Sequence, residues 1–235
     1  MVIDAVTWFA EEDMFRLRLD MLEPLVDLFI VVEADVTHQG DAKPLRFPSD
    51  LRNHPKVRWV PVSLTAGSPW GRENEQRRLM KDAVAQVASD DDIVVFSDCD
   101  EIWDGRLVNG LTTVRAARMD FRLFSVLWRY QSDWAGSIGG PWSRMRDLDW
   151  QTLRDQRWNL PSRESGWHFS WMGDDEARMV KQRSFAHSEF GESDLSGPVS
   201  AGRWLDGRQM QETHDGLPDG LTDVVPASWL RQRVT

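Results

Sequence analysis

Two short runs, "LFIVV" at residues 28–32 and "IVVF" at residues 93–96, constrain the fold of this chain more than any other feature. Each is continuously apolar instead of alternating, the pattern of a strand covered on both faces. Neither approaches the roughly 20 apolar residues that a membrane-spanning helix needs. Around them strand-like and helix-like segments take turns, which predicts an α/β fold with a mostly parallel sheet flanked by helices. "VIDAVTWF" (2–9) reads as the first strand, and "EEDMFRLRLDMLEPL" (11–25) as an amphipathic helix with Phe15, Leu19 and Leu22 along one side and Pro24 near its end. A loop with at most a short helix follows at 37–55, where Gly40, Pro44, Pro48 and Pro55 fall. "KVRWVPVSL" (56–64) supplies another strand and "AGSPWG" (66–71) a turn.

From residue 72 to 87 Leu79, Met80, Ala83, Val84 and Val87 recur at helical spacing, with Asn74, Arg77, Arg78 and Lys81 on the other side. Beyond residue 103 the signals weaken. "FRLFSVLWRY" (121–130) reads as a strand, "GSIGGPW" (136–142) as a glycine-rich loop, and residues 163–192 as short strands and loops around a site. The organisation expected is one domain over residues 1–207, with an irregular extension at 208–235 packed on it or trailing from it.

Composition narrows the chemistry. Lys and Arg number 28 against 38 Asp and Glu, a formal net charge of −10. Such a chain makes a poor generic nucleic-acid surface, which relies on clustered cations. No N-terminal basic and apolar leader pattern is present, so a cytoplasmic chain without a transmembrane segment is expected. The single cysteine, Cys99, excludes an internal disulfide and a multi-cysteine metal site, so any metal must be held by oxygen or imidazole. Thirteen tryptophans stand against one tyrosine, and indoles both fill cores and stack on sugar rings.

The apolar run at 93–96 ends in acids. In "DIVVFSDCDEI" (92–102) Ser97 is followed by Asp98, Asp100 and Glu101. Ligands of open α/β sheets bind at the carboxyl ends of the strands, where an extended chain turns Asp98 and Asp100 to one side and Cys99 to the other. Two facing carboxylates repel unless a cation lies between them. Mn²⁺ and Mg²⁺ are commonly held by one or two carboxylates plus substrate phosphates. The alternative is a solvated acidic turn.

Three blocks in order, "DMFRLRLDMLEPLVDLFIVVEADVTHQGDAKPLRF" (13–47), "DIVVFSDCDEI" and "GWHFSW" (166–171), resemble glycosyltransferase family 17, the bisecting β-1,4-N-acetylglucosaminyltransferases of glycoproteins and their bacterial relatives. The resemblance implies a GT-A-like, Rossmann-type mixed and mostly parallel sheet flanked by helices in a single domain, and a nucleotide-sugar-dependent, inverting transferase with UDP-N-acetylglucosamine as donor and a glycan or other hydroxyl as acceptor. It implies that Asp98 and Asp100 hold Mn²⁺ or Mg²⁺ and the diphosphate, with His168 as a further metal ligand, and that Glu33, Thr37, Lys43 and Pro44 approach the nucleotide. Glu176 and Lys181 also match, as does "RWLDG" (203–207). Residues 115–163 match poorly, so the acceptor is not inherited from the family.

Further candidates come from the residues themselves. Arg77, with Arg72, Asn74 and Arg78, sits where a helix could direct its N-terminus at phosphates, and Arg77 is the expected diphosphate contact; the alternative is a solvated, ion-paired face. His187 could supplement His168 or be structural. Inversion needs a general base, for which Glu176, Asp174, Asp175 and Glu101 are the candidates. Trp134, Trp167 and Trp171 could stack on sugars or fill the core. Two rival functions remain: a metal-dependent nucleotidyl- or phosphotransferase, disfavoured by the absence of a glycine-rich phosphate loop, and a non-catalytic carbohydrate-binding protein.

Overall fold

A computed structural model describes residues 1–186, 203–204 and 207–230. The expected mixed sheet flanked by helices is present, and its parallel part is built from the N-terminal third. Strand β1 (Val2–Trp8) pairs in parallel with β2 (Leu28–Ala34) on one side and β4 (Ile93–Asp98) on the other, and β2 with β3 (Val57–Val62). Helix α1 (Glu12–Leu22) crosses between β1 and β2, burying Phe15, Leu19 and Leu22 as its spacing predicts. The short α2 (Ser49–Arg52) lies in the loop before β3. Helix α3 (Pro69–Ala85) begins three residues earlier than its apolar period. Ser68 explains this: its hydroxyl accepts from the Gly71 N–H, and Pro69 occupies the first turn, where its missing N–H costs nothing.

The second part of the sheet is mainly antiparallel. After β5 (Glu101–Ile102) and the short α4 (Gly105–Val108) come β6 (Arg115–Leu123), β7 (Trp128–Arg129) and β8 (Trp134–Pro141). Then follow α5 (Trp142–Met145), α6 (Trp150–Asp155), β9 (Ser162–Ser170), α7 (Asp175–Ser184) and β10 (Gln211–Glu212). The path runs β10-β7-β6-β8-β4-β1-β2-β3, with β9 between β5 and β6. Strand β8, antiparallel to both β4 and β6, joins the two parts.

Three expectations fail here, each for its own reason. The glycines of residues 136–142 do not make a loop; they lie in β8, where a Cβ on Gly136 would come within 2.1 Å of the Met119 sulfur. Close approach, not turning, demands glycine. The strand expected over 121–130 is broken, because Phe124 takes a left-handed φ of 66° between β6 and β7. The tail is not wholly irregular either: β10 pairs with β7, and Arg122, fully buried, donates to the Thr213 carbonyl at 2.8 Å.

Apolar side chains pack on both faces of the sheet. One cluster gathers Phe15, Phe29, Trp103 and Trp128, the other Ile30, Met80, Phe96 and Trp150. Among the described residues no helix is long and apolar enough to cross a membrane.

Candidate active site

The turn after β4 is built around a buried charge pair. Arg18 of α1 and Asp4 of β1 are both fully buried, and the guanidinium grips the carboxylate through Nε at 2.7 Å and Nη2 at 2.6 Å. Its remaining donor capacity goes to the acidic turn: Nη1 donates to the Glu101 carbonyl at 2.7 Å and Nη2 to the Ser97 hydroxyl at 2.8 Å. Trp103 Nε1 completes Asp4 at 2.8 Å. Burial works against the Arg18 charge, but Asp4 outweighs it and raises the pKa above its ordinary value. The chain direction through residues 97–101 is therefore set by hydrogen bonds from beneath.

Above this support Asp98, the last residue of β4, and Asp100, in the turn after it, face a cavity of about 620 Å³; Cys99 between them is buried in the core and borders the same cavity, so the extended alternation expected through residue 100 stops at Asp98. The cavity opens at the carboxyl ends of β1, β2 and β4, lined there by Thr7, Ala34 and Asp98. Both aspartates are already matched by cations. Asp98, whose side chain is 35% exposed, accepts from Arg77 at 3.0 Å and Arg154 at 2.6 Å. Burial works against its charged form, yet Arg154 and Arg77 hold the pKa down at about 2. Asp100 accepts from Lys181 at 2.8 Å and lies 3.6 Å from His168 Nε2. Here too burial is outweighed, by Lys181 and His168, and the pKa is well below the carboxylate range. Lys181 in turn is raised: burial opposes its charge and Asp100 overrides that. Burial pushes the Cys99 thiol well up, away from thiolate reactivity.

His168 arrives on β9, whose backbone pairs with Glu101 on one side and Phe121 on the other. Gly166 makes the approach possible: at φ 76°, a Cβ there would meet the Ile102 carbonyl oxygen at 2.1 Å. The imidazole is stacked between Phe121 and Trp134, with ring centroids at 4.6 and 4.3 Å. Lys181 is delivered by α7, after Trp171 turns the chain with a left-handed φ of 58°.

A divalent cation tests these donors unequally. Two carboxylates on one cavity suit Mn²⁺ or Mg²⁺ held chiefly by substrate phosphates, and Asp98 and Asp100 fit that case. His168 does not. An Nε2–metal bond would put the ring proton on Nδ1, which is buried with no hydrogen-bond partner among the described residues, whereas metal-bound imidazoles hand their second N–H to an acceptor. Among the described residues no three His, Cys, Asp or Glu side chains form a ready metal cluster.

The other expected site residues separate into those that reach the cavity and those that do not. Arg77 and Lys43 line it. Glu33 is wholly buried beneath it, accepting from the Arg46 and Phe47 N–H groups at 2.6 and 3.1 Å and from Trp59 Nε1 at 3.0 Å, so it pins the loop after β2. Thr37 accepts from the Asp41 N–H at 3.1 Å in the same loop. Pro44 and Arg78 are exposed outside the lining, whereas Arg72 donates to the His38 carbonyl at 2.8 Å. Of the base candidates, Glu101 is fully buried and bound by Arg154 at 2.6 Å and Trp134 Nε1 at 2.7 Å. Asp174 caps α7 through the Ala177 N–H, Asp175 binds Arg178, and Glu176 is exposed in the first turn. Trp134 and Trp171 line the cavity, while Trp167 donates to the Gly216 carbonyl at 2.6 Å. His187 and part of residues 203–207 lie outside the described residues.

Arg154 and the wall it belongs to were not anticipated. The signal was present: Asp149 precedes Trp150 as a helix cap, accepting from the Thr152 N–H at 2.7 Å. The cap starts α6, and Arg154 then falls on the face that meets Asp98 and Glu101.

Fold and site together define an α/β protein with a strand-end cavity of acids, cations and aromatic rings, suited to a charged, ring-bearing ligand. The profile of glycosyltransferase family 17 matches residues 1–203, and the chain belongs to that family. It is 26% identical to human beta-1,4-mannosyl-glycoprotein 4-beta-N-acetylglucosaminyltransferase, over 89% of this chain and 50% of the human protein. The rat protein of the same name is 25% identical over 89% of this chain and 49% of its own length. The chain thus spans about half the length of the curated relatives it matches. Among solved structures, a 4-diphosphocytidyl-2C-methyl-D-erythritol synthase aligns with 77% of this chain and 96% of its own at a TM-score of 0.45 and 11% identity, too loose an overlap to argue from.

Proposed function

We propose that the chain is an inverting glycosyltransferase that moves N-acetylglucosamine from UDP-N-acetylglucosamine to a hydroxyl of a glycan acceptor. Membership of a glycosyltransferase family supports the reaction class, and the name of its relatives supports the sugar. The observation that carries the reading is the cavity at the ends of β1, β2 and β4, where Asp98 and Asp100 meet three cations: Arg77, Arg154 and Lys181.

The chemistry follows from charge. Departure of the nucleoside diphosphate leaves negative charge on its oxygens, which fixed donors stabilise far better in a water-poor cavity than in bulk water. Arg77 and Lys181 lie beside the two aspartates and would face that charge. A bound Mn²⁺ or Mg²⁺ supplies Lewis-acid stabilisation of the same oxygens, and Asp98 and Asp100 are the residues that would hold it. Lys181, donating at 2.8 Å, keeps Asp100 oriented, and His168, set between two rings, packs 3.6 Å from the same carboxylate. Lys43, on the cavity lining with its ammonium 5.4 Å from the Phe9 ring centroid and donating to Glu33 at 3.2 Å, would meet the nucleotide at the strand ends.

The test is a thermal-shift panel of UDP-, GDP-, ADP- and dTDP-sugars with and without Mn²⁺, since a ligand that binds only the native state raises its apparent stability. A rise with UDP-N-acetylglucosamine is the expected result. Glycan binding without any nucleotide effect would instead support a carbohydrate-binding protein.

A further inference from the structure

We infer that Asp155 is the base that takes the proton from the acceptor hydroxyl, and that the wall formed by α6 and the turn after it is the acceptor side of the cavity. The inference rests on the nucleotide-sugar reading above.

Elimination leads to this residue. Six described acids line the cavity: Glu11, Glu73, Asp98, Asp100, Asp133 and Asp155. Asp98 and Asp100 are held by cations. Glu73 pairs with Arg77 at 3.2 Å, and Glu11 accepts from the Phe9 and Ala10 N–H groups at 2.9 and 3.2 Å. Asp133, on an exposed turn, has no side-chain contact among the described residues to orient it. Asp155 alone combines orientation with availability. Its Oδ1 accepts from Gln151 Nε2 at 2.8 Å, and Gln151 Oε1 accepts from Arg77, which also holds Asp98. The orienting group is a neutral amide, so the carboxylate is positioned without an ion pair, and Oδ2 has no partner among the described residues. A base needs both properties.

The neighbouring surface suits a sugar. Trp158 lines the same wall and is 43% exposed, with the Arg118 guanidinium 4.7 Å from its ring centroid. An indole so held presents apolar area at little entropic cost, the property that makes Trp a platform for sugar faces.

The step balances. The Asp155 carboxylate accepts the hydroxyl proton as the acceptor oxygen bonds to the anomeric carbon. On the opposite face the carbon–oxygen bond to the diphosphate breaks, and its electron pair leaves on the diphosphate. The proton passes from Asp155 to water when product departs.

The experiment follows UDP release from UDP-N-acetylglucosamine with water or methyl β-D-mannoside as acceptor, beside donor binding by calorimetry. Asp155→Asn retains the Gln151 hydrogen bond, so the fold is kept and its melting temperature checks this. Unchanged donor affinity with release slowed about a hundredfold or more is the expected result. Release at the wild-type rate overturns the inference, as does a loss confined to Asp133→Asn. If the wild-type chain binds no nucleotide-sugar, the functional reading falls first and the assignment of Asp155 falls with it.

Discussion

The floor of the cavity and its α6 wall hold charge in opposite ways. Beneath the acidic turn, Arg18 and Asp4 are sealed from water and spend their hydrogen bonds on each other and on the turn's backbone. In the wall, Asp155 and Trp158 are exposed, and Asp155 is held by one neutral amide. A buried pair costs several kcal/mol to desolvate and survives only when its geometry is nearly complete. An exposed residue pays little and can change with its ligand. On the proposed function, this difference gives a rigid donor side, where two aspartates must keep one placement, and an adaptable acceptor side.

The largest effect is expected from opening the floor. Arg18→Met leaves Asp4 buried without its partner and should cost about 3–5 kcal/mol of stability, read as a lowered midpoint in urea. The double variant Arg18→Met/Asp4→Leu should recover much of that loss; no recovery would mean that Arg18 acts mainly through the Glu101 and Ser97 contacts.

Next in size is the rim. Asp100→Ala should stay folded, because Lys181 keeps access to water, yet lose about 10²–10³ in turnover, the usual scale for removing a positioned electrostatic group. Wild-type rates of UDP release from this variant would remove Asp100 from the site.

A smaller effect is expected from acid. The folded pKa values of Asp98 and Asp100 lie below the ordinary 3.8, with Asp98 at about 2. Depressed carboxylates stabilise the fold fully above their unfolded pKa and lose that contribution as the pH falls through the folded one. Melting temperature should therefore gain nothing from these groups above about pH 4 and decline as the pH drops toward 2. A decline already complete at pH 5 would show that other groups control acid stability.

The smallest change is at the wall. Trp158→Ala should alter stability by no more than about 0.5 kcal/mol, as surface substitutions do, while raising the KM for a glycoside acceptor and leaving that for the donor unchanged.

The parallel third of the chain was legible because each of its elements is determined by neighbours in sequence. The apolar period of residues 72–87 and the uniform apolar run at 93–96 become α3 and β4. Legibility fails where glycine serves proximity instead of turning. Gly136 reads as a loop residue until Met119 is seen above it. Legibility is partial for Arg77, which lines the cavity but whose burial, unlike that of its exposed neighbour Arg78, comes from Gln151 and Asp98 on other elements. The base candidates fell in the same gap: Glu101, Asp174 and Glu176 are near the right blocks in sequence, but one is buried, one caps a helix and one is exposed outside the cavity lining.

What the sequence determined by itself is the sheet's parallel part and the placing of Asp98 and Asp100 at and just beyond the end of β4, since an apolar run closed by acids is a local pattern; their common side was not, because the chain leaves the strand after Asp98 and turns. Only the tertiary structure decided which cations meet those acids and which carboxylate remains available. Arg18, Arg77, Arg154 and Lys181 come from four different helices, and charge pairing at hydrogen-bond distance depends on how those helices pack.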